Sequence, residues 1–96
     1  MLLLQKFKIQ GHSMEPKIKD TDVVLVSFIP FLFKNPAVGD IVAFNNKGKQ
    51  ILIKRIKKIE NGRYYVRGDN KDDSLDSRNI GFISKSRILG QVIYKL

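Results

Sequence analysis

The sequence has no cysteine, a single histidine and few acidic residues, and each shortage narrows what the protein can be. Without cysteine there is no disulfide framework and no thiolate metal site. One histidine disfavours zinc hydrolase chemistry, so no metal and no cofactor is expected. Asp and Glu number 9 against 18 Lys and Arg, a formal charge of +9. Such a balance draws the chain toward anionic surfaces, phospholipid headgroups or nucleic acid, without choosing between them. Long apolar runs are missing as well. Met1-Leu2-Leu3-Leu4 meets Lys6 before it supplies the roughly 7–15 apolar residues of a secretory signal, and a spanning helix needs about 20. Neither a signal peptide nor a transmembrane helix is therefore expected in this chain, and a soluble or peripheral membrane location follows as the expectation.

What is present is a 96-residue sequence, 43% hydrophobic, enough for one domain over residues 1–96 with one modest core. Proline, glycine and Asn/Asp clusters interrupt short β-branched runs, and no amphipathic stretch lasts long enough for a substantial helix. The pattern predicts a mainly β protein, a small coiled antiparallel sheet fold with at most one short helix. Expected strands are Phe7–Gln10, Asp22–Ser27, Asp40–Asn45, Gln50–Ile59, Arg63–Arg67 and Arg87–Tyr94. Asn46-Lys47-Gly48-Lys49 and Glu60-Asn61-Gly62 read as hairpin turns, because Asn and Gly tolerate positive φ. The one helix is expected to start at Ser13, with Pro16 in its first turn, where proline costs little. There is no internal repeat, low-complexity segment or linker.

Three blocks carry chemistry. Gly11-His12-Ser13-Met14-Glu15-Pro16 comes first, Ile53-Lys54-Arg55-Ile56 about forty residues later, and then Gly68-Asp69-Asn70-Lys71-Asp72-Asp73-Ser74-Leu75-Asp76-Ser77-Arg78. Ser13 offers a hydroxyl nucleophile, which is weak until a base takes its proton. Taken alone, a serine before a helix is more often an N-cap. His12 adjoins it, but neighbouring side chains in extended backbone point to opposite sides, which argues against a Ser-His-Asp triad. Lys54 is the better base. In the strand expected over Gln50–Ile59 it shares a face with Leu52 and Ile56, and an amine between aliphatic neighbours has its charged form disfavoured by burial. Arg55 falls on the opposite face and cannot act as a neutral base, so a structural or surface role is expected for it. Aligning the third block with a calcium loop puts Leu75 and Gly81 where glycine and glutamate are required, which rejects metal binding there.

These blocks, in this order, resemble those of the type I signal peptidases, membrane-associated serine endopeptidases with a Ser/Lys dyad; the likeness runs from Ile9 to Val92. The resemblance implies the signal-peptidase catalytic core of twisted antiparallel sheets and a precursor protein as substrate. It implies Ser13 as nucleophile and Lys54 as base, Ser74 orienting the Lys54 amine, and Asp76 paired with Arg78 to brace the turn. The Ser13 backbone N–H is a natural oxyanion donor. A second donor, which relatives often take from a hydroxyl two residues before the nucleophile, is unassigned because Gly11 stands there. Substrate would lie extended along a strand edge, with Gly11 to Met14 and Ile41, Val42, Ala43 and Phe44 as the expected walls. Small side chains are implied at the first and third positions before the cut.

Phe28-Ile29-Pro30-Phe31-Leu32-Phe33-Lys34 is a phenylalanine-rich loop in a basic protein. Phe28, Phe31, Leu32 and Phe33 are candidates for contact with an anionic membrane, against the ordinary alternative of core packing. The compact layout is also similar to the proteases that mature nickel-type superoxide dismutase. Self-cleaving repressors use a similar dyad, but no DNA-binding segment or attached cleavage site is visible here. A basic β-barrel binding nucleic acid is the rival of a different class; single-strand binders space aromatics along basic strands, whereas here they cluster in one loop, and no nucleic acid is expected. An inactive adaptor that recognises signal sequences is the remaining alternative.

Overall fold

The computed structural model describes residues 4–46, 50–70 and 81–96. Among the described residues seven strands form one antiparallel sheet: β1 (Leu4–Lys8), β2 (Val23–Ser27), β3 (Ile41–Asn46), β4 (Gln50–Glu60), β5 (Arg63–Arg67), β6 (Ile83–Ser84) and β7 (Ile88–Lys95). Their lateral order is β1-β2-β7-β3-β4-β5-β6. A four-residue helix, α1 (Pro30–Phe33), follows β2, and a 3-10 turn over Lys85–Arg87 precedes β7. The mainly β expectation is met, and the expected strands appear within a few residues of their predicted bounds. Ile83–Ser84, too short for a periodic pattern, was not expected.

β3 lies inside the sheet, with β4 on one side and β7 on the other. Both of its faces are covered, so Ile41, Val42, Ala43 and Phe44 are all buried. Neighbouring residues in a strand face opposite ways, and Val42 and Ala43 accordingly join different apolar clusters. Val42 packs with Phe44, Ile56, Val66 and Ile83, whereas Ala43 packs with Met14, Ile18, Val24 and Val26. The single modest core expected from length is thus divided in two, because a strongly coiled sheet covers both of its own faces.

Three irregularities support the coiling. The ladders slip between Leu25 and Val26, between Ala43 and Phe44, and between Ile56 and Lys58, and bulges of this kind increase local twist. Gly90 permits the close approach of β7 to β2: a Cβ there would lie 2.7 Å from the Ser27 carbonyl oxygen. Asn61 and Gly62, at φ of 51° and 73°, close the β4–β5 hairpin between the paired Glu60 and Arg63, the two-residue turn that Asn-Gly predicts.

The helix expected from Ser13 is absent. Residues 11–16 form turns, in which Glu15 N–H donates to the His12 carbonyl and Ile18 N–H to that of Met14. The helical turn instead begins at Pro30, where proline occupies the first helical position and its missing N–H costs nothing.

Among the described residues no helix is long and apolar enough to cross a membrane. α1 divides the phenylalanine-rich segment. Phe31 is 5% exposed and belongs to the first apolar cluster, and Phe28 packs against it edge to face at 6.2 Å. The expectation that both meet a membrane is corrected on this point: rotation about the helix axis turns Phe31 inward and leaves Leu32 and Phe33 facing out. Those two are 56% and 85% exposed.

Candidate active site

Ser13 sits on a loop whose base is tied by two short backbone bonds: Ile9 N–H to the Asp22 carbonyl at 2.7 Å and Thr21 N–H to the Ile9 carbonyl at 2.9 Å. Gly11 adopts φ +96° and donates its N–H to the Asp20 carboxylate. A left-handed backbone there suits glycine, a reason for Gly11 independent of the missing hydroxyl. Met14 and Ile18, each 2% exposed, plug the loop into the second apolar cluster. Met14 is anchored inward, while its neighbour Ser13 is only partly covered and lines a cleft.

That cleft, of about 440 Å³, has two walls: residues 7–14, running from β1 into the Ser13 loop, and residues 50–54 of β4. Lys54 lines it together with Ser13. Lys54 is 3% exposed, on the face that also carries buried Ile56 and half-buried Leu52. The period-two argument for a covered lysine therefore holds, because that face of β4 carries residues of the first apolar cluster.

Both walls are strand edges. Among the described strands β1 ends the sheet and pairs only with β2. On β4, Gln50 to Lys54 pair with β3, whereas pairing with β5 starts only at Arg55. Among the described strands, one edge of Gln50–Lys54 is therefore unoccupied and faces the edge of β1 across the cleft. Four antiparallel steps separate β1 from β4 in the sheet, so the two run in the same direction. The wall expected at Ile41, Val42, Ala43 and Phe44 is corrected. β3 has strands on both sides and offers no edge, and none of its residues reaches the cleft. Gln50–Ile53, its hairpin partner, takes that place.

The third block locks the arrangement from behind. Asn70 donates its backbone N–H to the Ser13 carbonyl at 2.8 Å and its side-chain amide to the His12 carbonyl at 3.0 Å. One residue earlier, both Asp69 carboxylate oxygens accept from Arg55, from Nε and Nη2, at 2.9 Å each. The remaining Arg55 nitrogen donates to the Gly39 carbonyl. Arg55 adjoins Lys54, so the strand that carries the amine is tied through Asp69 and Asn70 to the loop that carries the hydroxyl. Hydrogen bonds from Arg55, then its charge with those of Lys57 and Lys17, hold the Asp69 carboxyl below its ordinary range against the opposing effect of burial. The hydrogen bond to Asp69 likewise raises Arg55.

Sequence reasoning left Arg55 between a structural and a surface role, and gave Asp69 and Asn70 no individual task. The usable signal was a guanidinium next to the amine, matched by one carboxylate in Gly68-Asp69-Asn70. His12 makes a 2.6 Å contact from Nδ1 to Glu15, directed along its own turn. Ser74, Asp76 and Arg78 lie outside the described residues.

The family described as Peptidase S24-like matches residues 5–93. Mitochondrial inner membrane protease subunit 1 of Xenopus tropicalis is 27% identical over 90% of this chain and 65% of its own length. Signal peptidase I V of Bacillus subtilis is 23% identical over 90% of this chain and 82% of its own length. The signal peptidase complex catalytic subunit SEC11 of Metarhizium acridum is 30% identical over 88% and 54% respectively. The chain thus spans a little under two thirds of the first of these relatives and about half of the last.

Proposed function

We propose that this chain, which belongs to the Peptidase S24-like family and is similar to signal peptidases over most of its length, is a serine endopeptidase of the type I signal peptidase kind that removes N-terminal signal or leader segments from precursor proteins. Residues 1–96 act as one catalytic domain. The observation that supports the reading most is the shared cleft: the sole serine of the first block and a 3% exposed lysine line one groove between two strand edges that no other described strand occupies.

The reaction runs through an acyl-enzyme. Ser13 Oγ adds to the scissile carbonyl carbon while the neutral Lys54 amine takes its proton. The Ser13 backbone N–H faces the developing oxyanion. Collapse breaks the C–N bond, and the Lys54 ammonium returns the proton to the leaving amine. Water then attacks the ester with Lys54 again as base, releasing the new carboxylate and restoring Ser13. Burial favours the neutral amine that both steps need. The roles that the family resemblance implies for Ser74, Asp76 and Arg78 are part of this proposal.

A peptide entering the groove completes the sheet between β1 and β4. Lying parallel to both, it brings its C-terminal end toward Ser13, and the residues before the cut fill the cleft. Leu32 and Phe33, exposed on α1 of a chain of formal charge +9, give the enzyme reversible contact with an anionic membrane.

Cleavage of a panel of preprotein peptides tests the reading. Wild type cuts, while Ser13→Ala and Lys54→Met are folded and inactive, because neither group has a substitute. Retention of more than about a tenth of wild-type turnover by Lys54→Met would remove the dyad.

A further inference from the structure

We propose that the recess bounded by Lys57, Tyr65, Arg67 and Gly68 receives an acidic side chain of the precursor, from the residues just after the scissile bond. This inference rests on the peptidase reading above. The unoccupied edge of β4 ends at Lys54, since from Arg55 onward β5 takes that edge, starting with Arg67 opposite Arg55. A peptide that runs parallel to β4 through the cleft is therefore turned out of the sheet just past Lys54. The end of β5 and the Gly68–Asn70 segment lie in its way.

At that point the surface holds a second cavity, of about 550 Å³, lined by Lys57, Lys58, Tyr65, Arg67, Gly68 and Asp69. Its cations outnumber its acids. Lys57 is the extra residue of the bulge, set between the pairs Ile56–Val66 and Lys58–Tyr65, and it is exposed. The side chains of Lys57 and Arg67 enter no ion pair or hydrogen bond among the described residues. Lys58 is already engaged: its Nζ lies 5.3 Å from the centre of the Tyr65 ring, 5.7 Å from that of Phe82 and 3.5 Å from Glu60. Tyr65 lines the recess with its ring held against that of Phe82 at 5.3 Å. Asp69 also lines the recess, but both its oxygens are taken by Arg55. Lys57 lies near enough to lower its carboxyl further, so the local field is positive.

The recess adjoins Asp69, one residue from the Asn70 that holds Ser13. That position favours a peptide whose residues before the cut already fill the cleft, since its acid is then present at high effective concentration. Two rim cations without an ion-pair partner among the described residues are the recognition such an acid needs, and exposed pairs of this kind discriminate modestly and in a salt-dependent way.

The test uses peptides identical up to the cut, with Asp or Glu, Asn or Gln, or Lys in the first few positions after it. Cleavage is followed with the active enzyme and binding by fluorescence anisotropy with Ser13→Ala. At low salt the acidic peptides should bind better, and be cut with higher kcat/KM, than their amide twins by about threefold to tenfold. Lys57→Gln with Arg67→Gln should abolish the difference. Lys57→Glu, a change at an exposed position, should shift preference toward the lysine peptides. An acidic preference that survives all these changes, or none in wild type, overturns the proposal. Where no peptide is cut but the charge preference in binding follows Lys57, the recess stands and the peptidase reading falls. If the substitutions weaken binding to phosphatidylserine vesicles and leave peptide preference untouched, the recess belongs to lipid headgroups, which also overturns it.

Discussion

Arg55 grips Asp69 through two parallel hydrogen bonds of 2.9 Å, and this pair joins the strand of Lys54 to the segment that holds the loop of Ser13. The two side chains are 23% and 17% exposed, so the pair is neither a screened surface contact nor a fully buried one. Its geometry is the bidentate fork that only a guanidinium supplies to a carboxylate.

Arg55→Met and Asp69→Asn should each destabilise the protein by about 1–3 kcal/mol, because each leaves a partly covered charge without its partner. Arg55→Lys should recover little, since an ammonium cannot reproduce the fork or reach Gly39 as well. Urea unfolding of the single and double variants checks this. The double variant should be less destabilised than the sum of the singles.

The pair also fixes an acid limit. Asp69 has a folded-state pKa below its unfolded value of about 3.9. Its contribution is therefore complete above the unfolded value and is lost as pH falls through the folded one. The difference in urea midpoint between wild type and Asp69→Asn should stay constant from neutral pH down to about 5 and shrink below about 4. A gap that persists unchanged in acid would mean that the carboxylate charge is not what stabilises.

Asn70→Ala removes the side-chain bond to the His12 carbonyl but keeps the backbone bond to Ser13. His12 is exposed and water can replace the amide, so stability should change by under about 1 kcal/mol. Activity should suffer more. A loosened nucleophile loses about tenfold in kcat with KM little altered, as expected for misplacement at the reacting centre. An equal loss in KM would assign Asn70 to substrate binding.

A lysine base acts only as the free amine, so the acidic limb of kcat/KM against pH should follow a single group assigned to Lys54. Activity should fall as pH drops below that value. Full activity near pH 5 would point to another base.

On α1 the two phenylalanines should behave oppositely. Phe31→Ser, in the core, should cost about 3 kcal/mol or more. Phe33→Ser, at 85% exposure, should leave the urea midpoint within about 0.5 kcal/mol of wild type. Together with Leu32→Ser it should abolish sedimentation with anionic vesicles. Vesicle binding that is unaffected by this pair would show that the outward face of α1 does not carry the membrane contact.

Much of the fold was legible because strands and turns are local. Alternation along Gln50–Glu60 and Arg63–Arg67 gives the β4–β5 hairpin, and Asn61-Gly62 gives its turn. The covered face of Lys54 followed from its aliphatic neighbours Leu52 and Ile56. The segment after Ser13 misled, since a serine and a nearby proline announce a helix start that the turns at 11–16 do not continue. The same argument at Pro30 was available and correct there.

By itself the sequence determined the periodicity of its strands, its excess of cations and the chemical types in its three blocks, all of which are properties of neighbours along the chain. Only the tertiary structure decided which strand edges stay open. Pairing is a long-range property: β7 comes last in sequence yet inserts between β2 and β3, which buries Ile41–Phe44 in the interior of the sheet. Coiling then brings β1 across from β4, so Gln50–Ile53 form the wall of the cleft and Ser13 shares it with Lys54.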